Sequence, residues 1–383
     1  MNLRRKLELG ALAVLFVVPL SPALTTFWRW FDYRGVLLLR VDYSLYVAFA
    51  LQGLHQGWHH LYDLDAQRRA FEELPGLWWF PIVYTPALAV FMIPFTLLSL
   101  GAGYALWCTI LFVCMLVTWW ALAPGDWPER IAQLPLLFAT YPVVLGLWMG
   151  QIIPLQMAAL ALAYLALRRG RERTAGALLA VIALKPQGML LLPFALLAAG
   201  KKKLFLTWAA CMAVIGLGAL ALIGFDGALA YLHRLTYAQT HLAEFWVAWS
   251  YSLARRLGNG LTLRLFELGA VVATLFAAWR HREKPEVAMA AGLVGSLVAS
   301  PFIHLDDFML LVPAAWLILR AAPGLITSAA MLLGACAMAT SFNSQIGGRW
   351  ILLYVCVLSP ALAVLPLDRR QPAWPSRRAP RGR

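Results

Sequence analysis

Charge is scarce in this chain: only 13% of its 383 residues are Asp, Glu, Lys or Arg, and acids are the scarcer sign, 18 against 32 bases. Soluble domains carry about 25% charged residues, so this composition does not supply an ordinary water-exposed surface. Cysteine is sparse as well. Cys108, Cys114, Cys211, Cys336 and Cys356 all fall in apolar segments and lack metal-ligand spacing, which argues against a disulfide framework and a zinc site. There is no P-loop, dinucleotide-binding fingerprint, nucleophile elbow or stretch that reads as a soluble catalytic domain, so ATP-driven or nucleotide-sugar chemistry is disfavoured.

What the chain has is hydrophobicity, 62% of all residues, with a mean hydropathy of +0.71. This composition predicts an all-α integral membrane protein. A span needs about 20 apolar residues. Runs near that length occur at 7–24, 82–100, 103–123, 151–167, 204–225, 263–279, 286–300, 307–322, 325–341 and 350–366. With two broken regions that can be counted either way, the expectation is about 10 to 12 membrane helices. Arg4, Arg5 and Lys6 before the first run resemble a secretory signal, but the many later spans favour an uncleaved signal anchor. Retained positive charge marks cytoplasmic segments. It places the N-terminus, 168–173, 201–203, 280–284, Arg320 and the tail inside, so both termini are expected in the cytoplasm.

Two stretches fit this topology only as broken elements. Residues 174–199 lie between two basic cytoplasmic loops and are too few, at about 1.5 Å per residue, for two full spans. A hairpin of short helices broken at Lys185-Pro186 is the economical solution, and residues 131–149, with Tyr141-Pro142 in the middle, read as a re-entrant element. Broken helices of this kind line cavities.

The acids and histidines then fall on the outer face. Segment 25–81 carries Asp42, Asp63 and Asp65, segment 226–262 carries Asp226 and His233, and a third outer stretch begins Ser300-Pro301-Phe302-Ile303-His304-Leu305-Asp306-Asp307. Asp42, after the first span, is the leading functional candidate because an acid at the mouth of a polytopic protein is costly to keep. Pairing with Arg40 or capping the following segment are its plainer alternatives. Lys185 is the lone lysine of an apolar hairpin, either a binding charge or a side chain snorkelling to the interface.

The order of these pieces resembles glycosyltransferase family 87, polytopic GT-C-type enzymes that take sugars from polyprenyl phosphate. The series is Asp42-Tyr43 with Tyr46, Leu61-Tyr62-Asp63, Tyr84-Thr85-Pro86 with Pro94, Gly150-Gln151, Arg168-Arg169-Gly170, Gly176, Ala183-Leu184-Lys185-Pro186-Gln187, and Ser300-Pro301 with His304. It runs through most of the chain; no single piece is specific. One departure is Tyr84-Thr85-Pro86, where the family often has a second proline.

The resemblance implies a GT-C-like membrane domain over 1–367 followed by a basic cytoplasmic tail, 368–383, and an active site outside the plasma membrane. The donor would be a polyprenyl-phosphate sugar, with mannose the family-weighted hexose, and the acceptor a lipid or glycan hydroxyl. Asp42 matches the family's proposed general base. Lys185, His304, Arg255 and Arg256 are candidates for the donor phosphate, though paired arginines also suit lipid headgroups and a lone histidine is often structural. Tyr43, Tyr46, Asp63, Gln151 and Asp306 are candidates for sugar or acceptor contacts. The Asp63-Leu64-Asp65 spacing invites a metal reading, but alternate carboxylates meet only in extended structure, so neither a metal nor another cofactor is assigned; a divalent cation has no support in the sequence. A net charge of +14 spread over membrane-facing loops and a tail with six arginines suggests anionic lipids as partners and not nucleic acid. The alternative is a transporter or flippase of a lipid-linked or amphipathic substrate, but no repeat of the broken-helix pattern appears in the second half.

Overall fold

A computed structural model describes residues 42–72, 81–134, 137, 140–245, 257, 260–300, 303–322, 325–339 and 344–364. These residues form helices and short 3-10 turns, with no strand among them. The helices in chain order are α1 (Asp42–Gln56), α2 (Leu64–Glu72), α3 (Pro86–Met92), α4 (Leu100–Leu122), α5 (Trp127–Ile131), α6 (Tyr141–Met149), α7 (Ile153–Arg168), α8 (Glu172–Leu179), α9 (Leu192–Ala198), α10 (Lys202–Phe245), α11 (Leu261–Arg280), α12 (Pro285–Ala299), α13 (Leu311–Ala321), α14 (Leu325–Ala339) and α15 (Ser344–Val364).

Three of these, α4, α10 over Lys202–Thr236, and α11, are long and apolar enough to cross a membrane, and the bent pair α6 and α7 raises that to four. The expected count of about 10 to 12 membrane helices is not reached among the described residues. The reason is physical. Run 82–100 is cut into seven-residue α3 and a 3-10 turn, Ile93–Leu97, with Pro94 at its start. Run 307–322 divides into a 3-10 turn, Asp306–Leu310, and eleven-residue α13. Run 286–300 becomes fifteen-residue α12, about 22 Å long and buried along nearly all its length. Its hydrophobicity is spent on neighbouring helices, chiefly α11 and α13, and not on lipid. By contrast, only 11% of the most apolar stretch of α10 is buried, with Leu206, Val214, Leu217 and Phe225 turned outward as on a lipid-facing helix. The first expected span, 7–24, and the tail lie outside the described residues.

The segment 226–262, expected as an outer loop, begins instead as a continuation of α10 through Phe245. Gly224, with φ 73° and ψ 176°, turns the helix about 33 Å after its start, close to one hydrocarbon thickness, and the chain resumes helix beyond it. The link between α1 and α2 docks there: His59 Nδ1 lies 3.1 Å from Ile223 O, and Tyr62 stacks on Tyr231 with ring centroids 4.6 Å apart.

Both broken regions are present. In the hairpin, α8 passes into a 3-10 turn, Ala180–Leu184; Lys185 leaves helical geometry at φ −150° and ψ 85°, and Pro186 opens another turn before α9. The other break is displaced from its expected place. Pro142 does not interrupt a helix; it sits in the first turn of α6, where its missing N–H has no intrahelical acceptor to lose. The chain bends by 113° at Gly150-Gln151-Ile152 instead, with Gly150 in the left-handed region at φ 69°.

At the far end of α7, about 22 Å from this bend, a polar cluster ties helix ends together. Glu286 Oε1 accepts from Tyr164 Oη at 2.9 Å and Arg168 Nη1 at 2.8 Å. Arg320 donates to the carbonyls of Leu122 and Ala123 at 2.6 and 2.8 Å, capping α4 where the helix dipole favours a cation.

Candidate active site

Asp42 is the first residue of α1, a position where an acid faces the positive end of the helix dipole. Tyr46, one turn on, shares its face. Both are buried. The Asp42 carboxylate accepts at each oxygen: Tyr84 Oη donates to Oδ1 at 2.9 Å, and Gln151 Nε2 donates to Oδ2 at 2.5 Å. Tyr84 comes from the residue before Thr85-Pro86, where Thr85 is the N-cap of α3 and Pro86 its first residue. Thr85 Oγ1 donates to Ala183 O at 2.7 Å, which ties the start of α3 to the broken hairpin. Gln151 is delivered by the left-handed Gly150, and its backbone N–H donates to Gly146 O at 2.8 Å.

The break at Lys185 turns that side chain into the same place. Lys185 Nζ donates to Gln151 Oε1 at 3.0 Å, lies 2.8 Å from Asp307 Oδ1 and 3.6 Å from Asp306 Oδ2. The Asp307 approach is close in distance but off the line of a hydrogen bond, so charge attraction holds it. The backbone freed by the break is not orphaned: Lys185 O accepts from Gln156 Nε2 at 2.8 Å. Asp306 and Asp307 open their 3-10 turn against α6, and Asp307 Oδ2 accepts from the His304 N–H at 2.8 Å. Burial, with Asp306 adding to it, pushes the Asp42 carboxyl up from 3.8 to about 7; Lys185 and the Tyr84 hydrogen bond pull the other way.

A profile of glycosyltransferase family 87 matches residues 82–303, more than half of the chain. The chain belongs to glycosyltransferase family 87. No curated protein and no solved structure matches it. In this family 87 protein, therefore, the constellation of Asp42, Gln151, Lys185, Asp306 and Asp307 sits in a membrane glycosyltransferase. The match covers Tyr84, Gln151 and Lys185; the acid pair lies just beyond its C-terminal end, and Asp42 lies well before its start at residue 82.

Of the residues singled out from the sequence of this glycosyltransferase, Asp42, Tyr46, Gln151, Lys185 and Asp306 come together, and His304 stands half-buried on the turn that carries the acid pair. Tyr43 turns to another side of α1, its ring against Phe95 and Tyr104, and its hydroxyl is buried without a hydrogen-bond partner. Asp63 lies apart and exposed; its Oδ1 accepts from the N–H groups of Asp65 and Ala66, capping α2. Asp65 is in the first turn of that helix and exposed. Arg255 and Arg256 lie outside the described residues.

Two members of the site, Tyr84 and Asp307, have partners that the sequence does not announce. Tyr84 was visible only as the residue before a Thr-Pro helix start, and nothing local announces that its hydroxyl reaches an acid 42 positions earlier. Asp307 stands beside Asp306 in the outer stretch, and its lysine partner comes from the hairpin, 122 positions away in sequence order.

Proposed function

We propose that this glycosyltransferase transfers a hexose, mannose in the family-weighted reading, from polyprenyl phosphate to a hydroxyl acceptor at the outer face of the plasma membrane. Asp42 is the general base in an inverting displacement: its carboxylate takes the acceptor hydroxyl proton as that oxygen attacks the anomeric carbon, and the polyprenyl phosphate leaves with the bonding electron pair. The observation that carries this reading is the Asp42 carboxylate itself. It is buried, held by one donor on each oxygen, and a carboxylate has about four acceptor positions, so capacity remains for an acceptor hydroxyl. Burial that brings its proton affinity near neutrality suits a group that must accept a proton in the reaction and return it afterwards.

The leaving phosphate needs positive potential. Lys185 at the centre of the site and His304 just before the acid pair are the candidate donors to that phosphate, and Asp306 and Asp307 hold the lysine in place. Asp306 would also accept from sugar hydroxyls. The donor would enter laterally from the outer leaflet, and an anionic lipid surface would suit the chain's net charge of +14.

The test is sugar transfer from radiolabelled polyprenyl-phosphate mannose by purified protein in lipid vesicles, with total lipid extract as acceptor. Wild type, Asp42→Asn and an EDTA arm are compared. Transfer by wild type that collapses in Asp42→Asn supports the reading, and equal transfer by both proteins sinks Asp42 as the base. Absence of transfer with mannose alongside transfer with another hexose donor would replace the sugar and leave the base in place.

A further inference from the structure

Three buried carboxylates and one buried ammonium crowd the centre of this site, and the group joining Asp42 to the ammonium is a neutral amide. Gln151 is 2% exposed. Its Nε2 donates to Asp42 Oδ2, while its Oε1 accepts from Lys185 Nζ at 3.0 Å and from Tyr46 Oη at 2.9 Å. A carboxamide oxygen has two acceptor positions, and both are taken, so none is left for a sugar hydroxyl. The neighbours also fix which way the amide points. Turned end for end, it would set its NH2 against the ammonium and its oxygen against the carboxylate. The left-handed turn at Gly150 and the Gln151 N–H bond to Gly146 O hold the backbone that presents it.

We infer that Gln151 is a positioning residue that couples the Lys185 ammonium to Asp42 and holds the carboxylate in its proton-accepting form. The inference rests on the base role proposed above for its catalytic meaning. An ammonium on the amide oxygen draws electron density from the N–H groups, and a polarised N–H is a better donor to a carboxylate than to a neutral carboxyl oxygen. The coupling works against a real opposing field. Asp306 and Asp307, from the 3-10 turn packed on α6, favour the protonated acid, whereas Tyr84 before α3 and Lys185 in the hairpin favour the ionised one; Tyr46 from α1 acts through the amide oxygen, and His304 precedes the acid pair on its turn. Removing the amide therefore leaves the acids less opposed.

The experiment uses full-length protein in lipid vesicles. Infrared difference spectra between each protein and its own Asp42→Asn derivative isolate the carboxyl band of residue 42 as pH is varied. Gln151→Met fills the same space with neither donor nor acceptor. Its Asp42 midpoint is expected to rise by about one unit, a tenfold gain in proton affinity, with the acidic limb of the kcat profile moving alongside it and KM for donor little changed. Tyr46→Phe removes one donor from the same amide oxygen, and a smaller rise in the same direction is expected; it decides the matter if the methionine variant does not fold. An unmoved midpoint overturns the coupling, as does a raised KM with the midpoint in place, which would make Gln151 a sugar contact. Equal transfer by wild type and Asp42→Asn would sink the base role while leaving the titration result intact.

Discussion

Asp307 joins Lys185 to His304: one carboxylate oxygen lies 2.8 Å from the lysine ammonium, and the other accepts from the histidine backbone N–H at 2.8 Å. The broken hairpin and the 3-10 turn are thereby fastened by a single side chain. The arrangement also answers why a lysine is tolerated in an apolar hairpin. An isolated buried ammonium costs several kcal/mol, and here two carboxylates and an amide oxygen offset that cost without any ligand.

Removing one partner of a buried pair leaves the other uncompensated, so Lys185→Met should destabilise the protein by about 3–5 kcal/mol by stranding Asp306 and Asp307 together. The double variant Lys185→Met/Asp307→Asn should be more stable than Lys185→Met alone, because one fewer buried acid is then left without a cation. Unfolding in mixed micelles, run as a double-mutant cycle, measures both. Additive losses would show that the lysine and Asp307 do not interact energetically.

Asp63→Ala should cost about 1 kcal/mol through the lost cap of α2, with transfer retained at its wild-type rate. The carboxylate bonds two N–H groups of its own helix and is exposed to solvent. A selective loss of transfer, with stability unchanged, would return Asp63 to the list of sugar contacts. Thermal unfolding and the vesicle transfer assay read the two effects separately.

How much of this was legible beforehand depended on whether the cause was local. Asp42 and Lys185 stand out because a charge in an apolar run is expensive wherever the run goes. Lys185-Pro186 announces its break because proline removes a helix donor. The bend at Gly150 was read instead at Pro142, since a proline looks like a breaker until its place at a helix start is known. The expected span count is not reached among the described residues for a related reason: α12 is as apolar as a lipid-facing helix, yet it is buried in protein, and hydropathy does not distinguish the two solvents. Tyr84 and Asp307 act on residues far away in the chain, so no local pattern marks their role.

Gly150→Ala tests whether the bend itself matters. A Cβ on residue 150 would sit 2.9 Å from Tyr43 Cβ and 3.2 Å from the Trp107 ring, at a φ of +69° that L residues seldom adopt. The neighbours are packed, and Trp107 Nε1 donates to Gly150 O at 2.7 Å, so the backbone must move. A cost of about 1–3 kcal/mol is expected. Because Gln151 follows directly, kcat should fall more than stability accounts for. Transfer measured at a temperature where the variant is fully folded makes that comparison; an unchanged kcat there would detach the bend from the chemistry.

The pH dependence of Asp42 runs in opposite directions for activity and stability. Its carboxyl titrates near 3.8 in an ordinary setting and about 7 when buried in the native site. Between those values the native protein holds a proton that the unfolded chain has released, so this group's contribution to stability is complete below about pH 3.8 and is lost as pH rises through about 7. Transfer should do the reverse, falling as pH drops below about 7, since only the carboxylate accepts the acceptor's proton. Asp42→Asn, which has no charge to bury, can still accept from Gln151 with its oxygen and donate to the Tyr84 hydroxyl with its NH2. Its stability relative to wild type should therefore increase with pH across that window, even as its transfer is lost. Unfolding midpoints of the two proteins across the same pH series measure this, and a constant difference would show that Asp42 enters the folded state already ionised throughout.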